Sequence, residues 1–481
     1  MRTALTLDES RLPTEQSQDT NDIVASSLGD ATFRSDFHIK FAYLAGAMYR
    51  GIASKEMIVA LGRNKLMGYF GTGGLASDEI EAALSYIQRE LGPGGSYGLN
   101  LLSDMEHPER ELALAKLYCR SDIRFVEASA FMKITPALVF YRLKGASRNL
   151  QGSVNVRHNV LAKVSRPEVA LQFMLPAPAS IVDALVSAGV LTQAEAELSP
   201  KVPIADDVCV EADSGGHTDR GVAYVLTPTI AALRDEVMKR QGYSKRIRVG
   251  AAGGIGTPHA AAAAFMMGAD FILTGSINQC TVEAGTSAAV KEILEGLEIQ
   301  DMAYAPAGDM FELGAKVQVV KKGLLFPGRA NKLYELYSRY NSLDEIEAKV
   351  RTQIEERYFR RTFEDVWAQA KAHHAATDAK QASGIESDPK RKMAAVFKWY
   401  FFHTANLAQE GHLEHKSDYQ IHCGPALGAF NQWVKGTSLE SWRNRGVVDI
   451  AERIMRGAAE VMSKKCAEVF PLSGHEIGTL A

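Results

Sequence analysis

Residues 247–276, IRVGAAGGIGTPHAAAAAFMMGADFILTGS, constrain the fold more tightly than any other stretch of the chain. Two short apolar runs, one around Val249 and one from Phe271 to Thr274, each end on a turn: Gly253, Gly254 and Gly256 after the first, Gly275 and Ser276 after the second. The segment between them has a helix start and stop. Thr257 suits the N-cap, Pro258 fits the first helical position because no N–H is needed there, and Gly268 suits a left-handed C-terminal cap. Strand, glycine turn, helix and strand make a parallel pair with a tight crossover. Two glycine turns at the carboxyl ends of neighbouring strands direct backbone N–H groups into one small volume, a concavity that binds phosphate. In eight-stranded (β/α) barrels that site follows the last two strands, so these runs are placed as the seventh and eighth. On this stretch alone, two ordinary turns in an α/β core remain the alternative.

Six more runs precede them: FAYLAGAMYRGIAS from Phe41, LMGYFGTGG, Tyr97 to Leu102, Phe125 to Ala130, Val160 to Ser165, and DVCVEAD ending at Asp213. Strands alternating with helical patterns, with glycine and polar groups at their carboxyl ends, predict an α/β fold, a (β/α)8 TIM barrel over residues 37–299. The absence of G-x-G-x-x-G after the first strand weighs against a dinucleotide-binding doubly wound sheet. Residues 1–36 are polar and aperiodic and read as a flexible N-terminal arm. TVEAGTSAAVKEILEGL is expected to be the eighth barrel helix. Residues 300–481 read as a C-terminal helical subdomain packed on the barrel, with Ser342 and Glu345 as a capping box and TDAKQASGIESDPK as a loop.

The 481 residues, 46% hydrophobic, suffice for one large domain plus an appendage. A net charge of -3 argues against a bulk nucleic-acid footprint. No apolar run approaches the roughly 18 residues needed to span a bilayer, and the polar N-terminus has no signal core, so a cytoplasmic protein without membrane association is expected. Five widely spaced cysteines without a C-x-x-C pair imply reduced thiols and no metal site. His412, Glu414 and His415 lack the spacing of a helical zinc motif.

Gly215, Gly216 and His217 follow the sixth strand, on the face where a barrel presents reactive groups. An imidazole there exchanges a proton near neutral pH, or simply bonds a backbone carbonyl. Lys163 lies inside the apolar fifth strand, where a buried ammonium needs a partner: a bound anion or ring edge, or Glu127 or Glu211 on neighbouring strands. Asn100 in the third strand offers donor and acceptor to a heterocycle, or ties down backbone. Together these features suit a phosphate gripped by Gly253, Gly254, Gly275 and Ser276 and a planar heterocycle met by Lys163, Asn100 and the backbone of Ala45, Gly46, Ala47 and Met48. FMN has that shape, as does a nucleotide substrate.

LAGAMYRGIAS, FGTGGL, EADSGGHTDRG, AAGGIGTPHAAAAAFMMGADFILTGS and GLLFPGRANKLYELY together resemble the nitronate monooxygenase-like FMN barrels, and within them the PfaD-type trans-acting enoyl reductases of polyunsaturated fatty acid and polyketide synthases. The likeness runs from about Phe41 onward; GLLFPGRANKLYELY and KWYFFHTA separate this branch from general nitronate monooxygenases. It implies FMN, NADPH as reductant, and an enoyl thioester carried by an acyl carrier protein. His217, on the family's Gly-Gly-His motif, would be the acid/base beside the flavin. Gly215 and Gly216 join the cofactor-binding set, and Ser276 stands where many relatives have threonine. A homodimer is expected from relatives. The competing readings are a flavin oxidase acting on nitronates, a nucleotide-binding barrel, and a non-catalytic subunit of a megasynthase.

Overall fold

The computed structural model describes residues 23–105, 107–377 and 384–469. The chain divides into two compact units: Met1–Ala212, Gly221–Gly285 and Trp433–Ala481 form the first, and Asp213–Arg220 with Thr286–Gln432 the second.

The first unit is built on a closed parallel barrel of eight strands: β1 (Tyr43–Ala45), β2 (Met67–Phe70), β3 (Gly98–Leu102), β4 (Phe125–Ser129), β5 (Asn159–Val164), β6 (Asp207–Glu211), β7 (Arg248–Ala252) and β8 (Ile272–Thr274). β1 pairs with both β2 and β8, which closes the ring. Each strand coincides with a predicted run, because strands covered on both faces are unbroken apolar sequences; β1, β2, β7 and β8 are buried throughout.

A helix at Ala31–Phe37 seals the amino-terminal ends of the strands. Asp30 caps it by accepting from the Phe33 N–H. Phe33 stacks on Phe271 with ring centroids 4.4 Å apart, and Phe37 on Phe125 at 4.6 Å. The expectation of a flexible arm therefore fails for residues 23–36. Two phenylalanines four apart make one apolar stripe on a single short helix, too little to register as periodicity among polar neighbours. Residues 1–22 of the predicted arm lie outside the described residues.

The predicted eighth barrel helix is also corrected. TVEAGTSAAVKEILEGL gives only a short helix, Ala288–Leu294, and it belongs to the second unit. Beside the helices Pro258–Met266 and Lys55–Arg63, where the eighth helix belongs, lies Val447–Val469. Its buried stripe of Val447, Ile450, Ala451, Ile454, Met455, Ala458 and Ala459 has the spacing of a barrel-covering helix. The predicted division at residues 299 and 300 thus differs from the observed one, in which 433–469 group with the barrel.

The second unit is not wholly helical. β9 (Met302–Pro306) and β10 (Lys316–Val320) pair antiparallel, and Gly216–His217 adds to the other edge of β10. Over one face pack the helices Phe326–Arg339 and Pro389–Glu410, whose Phe326, Phe397, Tyr400 and Phe401 share a core with Phe311, Val317 and Val319. Ser342 makes no capping bond; Glu345 instead accepts from the Asn341 N–H at 2.9 Å. Among the described residues no single helix is long and apolar enough to cross a membrane.

Candidate functional site

In the first unit, polar groups gather at the carboxyl ends of the strands around Glu127, a β4 residue whose side chain is 1% exposed. Its carboxylate accepts from the Ala47 N–H at 3.0 Å and from the Ser129 hydroxyl at 3.3 Å, and faces Lys163 Nζ at 3.7 Å. Lys163 Nζ lies 3.2 Å from Glu211, at the end of β6. The Asn100 amide donates to the Glu127 carbonyl and to Ser129 Oγ, both at 3.0 Å. Ala47, Asn100 and Lys163, expected to meet one ligand, therefore do converge, but on Glu127 of the chain itself: Ala47 and Lys163 on its carboxylate, Asn100 on its backbone carbonyl. The ion-pair reading of Lys163 holds, with both acids at once, and the Ala47 N–H is already committed.

This cluster holds two carboxylates and one ammonium. Burial works against the Lys163 charge, but Glu211 and Glu127 outweigh it and raise its pKa. Burial raises the Glu127 pKa, opposed by Lys163 and the Ala47 N–H and assisted by the repulsion of Glu211.

The glycine turns follow β7 and β8, which are hydrogen-bonded neighbours. Gly253 has φ +85°, and a Cβ there would sit 2.6 Å from the Ala212 carbonyl oxygen. Gly254 has φ +74°; at Gly254 and at Gly275 a side chain would project into clear space, with no atom within 4 Å. Ser276 follows at once and is half-buried. The turns thus leave a cradle that any side chain would fill, and the donor set of backbone N–H groups plus one hydroxyl suits a phosphate. The residues present fit the phosphate end of a flavin nucleotide. Gly46, whose N–H donates to the Thr274 carbonyl at 2.9 Å, lies beside the second turn, and Met48 precedes the short helix Tyr49–Gly51.

Gly215, Gly216 and His217 belong to the second unit. His217 sits opposite Val317 of β10, and its Nε2 is 2.8 Å from Asp309 Oδ1. Burial opposes ionisation of Asp309, but the bond and charge of His217 hold its pKa below the ordinary value. A second histidine, His422, pairs through its backbone with Val319 on the same strand. Burial and the nearby His217 charge push its pKa down to about 4. Gln420 Nε2 lies 2.7 Å from His422 Nε2, consistent with a neutral ring accepting that proton. Gly215 has a packing reason: a Cβ there would lie 2.8 Å from the Cys423 Cα. The sequence reading misses Asp309 and His422. Asp309 is 92 residues from His217 in a turn without periodicity, and no local signal marks it.

Residues 340–419 match the family described as the inserted helical domain of [acyl-carrier-protein] S-malonyltransferase. The chain is 56% identical over 454 residues to the polyketide biosynthesis protein PksE of Bacillus subtilis, covering 94% of this chain and 59% of PksE. It is 42% identical over 438 residues to a polyunsaturated fatty acid synthase component of Thraustochytrium sp., covering 90% of this chain and 29% of that protein. The chain thus spans less than two thirds of either relative. The crystal structure of the enoyl reductase domain of MlnA, from the macrolactin biosynthesis cluster of Bacillus amyloliquefaciens, aligns with a TM-score of 0.89 at 47% identity, over 92% of this chain and 99% of that domain. With that domain matched from end to end, the chain belongs to the PfaD-type family of enoyl reductases of polyketide and polyunsaturated fatty acid synthases.

Proposed function

We propose that this protein is an FMN-dependent enoyl reductase that uses NADPH to saturate the α,β-double bond of enoyl thioesters on an acyl carrier protein, in trans to a polyketide or polyunsaturated fatty acid synthase. The observation that carries this reading is the open cradle at Gly254 and Gly275, on the same barrel end as the buried Glu127–Lys163–Glu211 cluster. Family membership and the likeness to the MlnA domain support it.

Gly253, Gly254, Gly275 and Ser276 would hold the phosphate, and the Ala45–Met48 segment, whose Ala47 N–H stays on Glu127, would border the ring together with Asn100. When bound, a flavin would supply two-electron redox chemistry at this end of the barrel. Lys163 keeps a positive charge at this end because two carboxylates hold its proton on. His217 is the proton donor of this reading. Asp309 accepts from His217 Nε2, which orients the ring and stabilises the protonated form that would give a proton to the substrate α-carbon. His422, held neutral at physiological pH, adds no competing charge beside it.

An anaerobic absorbance titration tests the reading. Purified protein should show a flavin spectrum that NADPH bleaches and a crotonyl thioester on a carrier protein or thiol mimic restores. Recovery only with oxygen or a nitronate would favour the oxidase reading, and a colourless protein that takes up no FMN would remove the flavin altogether. His217→Ala should keep the flavin and slow enoyl reduction by about a hundredfold or more, the usual range for a lost general acid. Unchanged turnover would make His217 a structural residue.

A further inference from the structure

In the second unit Arg220 and Lys316 meet no carboxylate within ion-pair distance among the described residues. They share one face of the sheet. Side chains alternate along β10, so Lys316 and Gln318 lie opposite the core-facing Val317 and Val319. Tyr304 is the register partner of Gln318. Asp213 brings the segment 213–220 to this face, accepting from the Tyr304 hydroxyl at 2.5 Å and from Gln318 Nε2 at 3.2 Å. The Arg220 guanidinium then lies over the Tyr304 ring, 4.3 Å from its centroid, and Lys316 Nζ over Tyr334 at 4.7 Å.

The two cations are also tied together through Thr218. Its N–H donates to the Lys316 carbonyl at 3.1 Å, and its hydroxyl oxygen accepts from the Arg220 N–H at 2.9 Å. Arg220 itself is held at φ 58°, a conformation unusual for a residue other than glycine. Asp213, which could have neutralised the pair, has its carboxylate occupied by Tyr304, Gln318 and the Thr218 hydroxyl. Burial lowers the Lys316 pKa and the charge of Arg220 lowers it further, so each cation disfavours the other. An anion placed between them would relieve that repulsion, and a planar guanidinium seated on a ring is oriented for two-point contact with phosphate oxygens.

We propose that Arg220 and Lys316 form a phosphate site that grips the phosphate ester of a mobile reactant, distinct from the flavin phosphate assigned to the glycine cradle. The proposal rests on the reductase reading for the identity of that reactant, because both partners in that reaction carry phosphate. NADPH has a 2′-phosphate and a pyrophosphate, and the arm of an acyl carrier protein ends in a phosphodiester.

The test uses the full-length protein and the variants Arg220→Gln, Lys316→Gln and the pair together, with Lys332→Gln on the helix Phe326–Arg339 as a control for surface charge. Inorganic pyrophosphate, titrated by calorimetry, probes the site without any turnover. Each single variant should weaken pyrophosphate binding by about tenfold, as expected for one charge-assisted contact, and the double variant by more. Steady-state measurements then separate the sources. A raised KM for NADPH with unchanged KM for crotonyl phosphopantetheine assigns the site to the nicotinamide cofactor; the reverse assigns it to the carrier arm, and crotonyl pantetheine lacking the phosphate should then be insensitive to the substitutions. Unchanged pyrophosphate affinity in a double variant that melts like the parent would overturn the proposal. If the parent protein holds no flavin or reduces no enoyl thioester, the reductase reading falls, and the pyrophosphate titration still decides whether the site exists.

Discussion

At the amino-terminal ends of the barrel strands, Phe33 and Phe37 are fully buried against Phe271 and Phe125, and Arg248 bonds Asp207 at 2.6 Å and Asp36 at 2.8 Å. Nearby Arg142 holds Asp206 through its two terminal guanidinium nitrogens, and also donates to the His158 carbonyl at 2.8 Å and, from Nε, to the Pro203 carbonyl at 3.0 Å. At the carboxyl-terminal ends the fill is reversed. Two carboxylates share one lysine, and glycine stands where side chains would close the space. Asp206 and Glu127 show the difference most sharply, although Asp207, beside Arg248, is raised by burial as Glu127 is. Burial would raise Asp206, but Arg142 and Lys245 outweigh it and hold its pKa low, whereas burial raises Glu127 beyond what Lys163 and the Ala47 N–H can offset. One end is satisfied internally and serves stability; the other keeps acids in excess and open backbone, the arrangement of a surface that works on something else.

The largest effect that could break this comparison is expected from Arg248→Met, which leaves Asp207 buried without its cation. Unfolding by urea should show a loss of about 3–5 kcal/mol, while the molecules that remain folded keep their flavin. A flavin defect in a fully stable variant would mean that the two ends are not separable. Gly254→Asp is the complementary change: it places a carboxylate in the proposed phosphate cradle and a side chain at φ +74°. Flavin retention should be abolished for a stability cost of only about 1 kcal/mol, the usual cost of a left-handed residue, and full retention would remove the phosphate cradle. The smallest effects should have opposite signs. Asp206, with its pKa held low, stabilises the protein above the unfolded value of 3.8, and that contribution is lost as pH falls through the folded value. Glu127, with its pKa raised, favours folding below 4.5 and loses that contribution as pH rises through its folded value. Urea midpoints followed from neutral pH to below 3.8 should therefore show Asp206→Asn losing stability and Glu127→Gln holding or gaining it, the Glu127 difference shrinking as pH falls toward 4.5 and the Asp206 difference only below 3.8. Parallel losses for the two would collapse the distinction.

The barrel is legible because parallel strands leave a one-dimensional trace: each is a short apolar run ending on glycine or a polar residue, and β7 and β8 add helix caps between them. What escapes the sequence reading depends on long-range partnership. Phe33 and Phe37 have meaning only against Phe271 and Phe125, and Val447–Val469 reads as an ordinary amphipathic helix until its neighbours are known. KVQVV, which forms β10, reads only as a strand-like run, and its two-residue partner Gly216–His217 is too short to carry a pattern. For the site, the glycine turns announce themselves by composition. Glu127 is no more than a charge in an apolar strand, one of two candidate answers to Lys163, and Asp309 carries no mark at all, because a partner of histidine in a loop has no spacing rule.

The helix Val447–Val469 has a consequence for how the molecule is made. Synthesis delivers all eight strands well before the segment that covers the seam between the helices Pro258–Met266 and Lys55–Arg63, with Thr286–Gln432 intervening. A growing chain therefore carries an uncovered apolar stave of its barrel until translation is nearly through this region, and the second unit has time to fold in the interval. The seam of the barrel is therefore closed by a helix made only after the residues of the second unit.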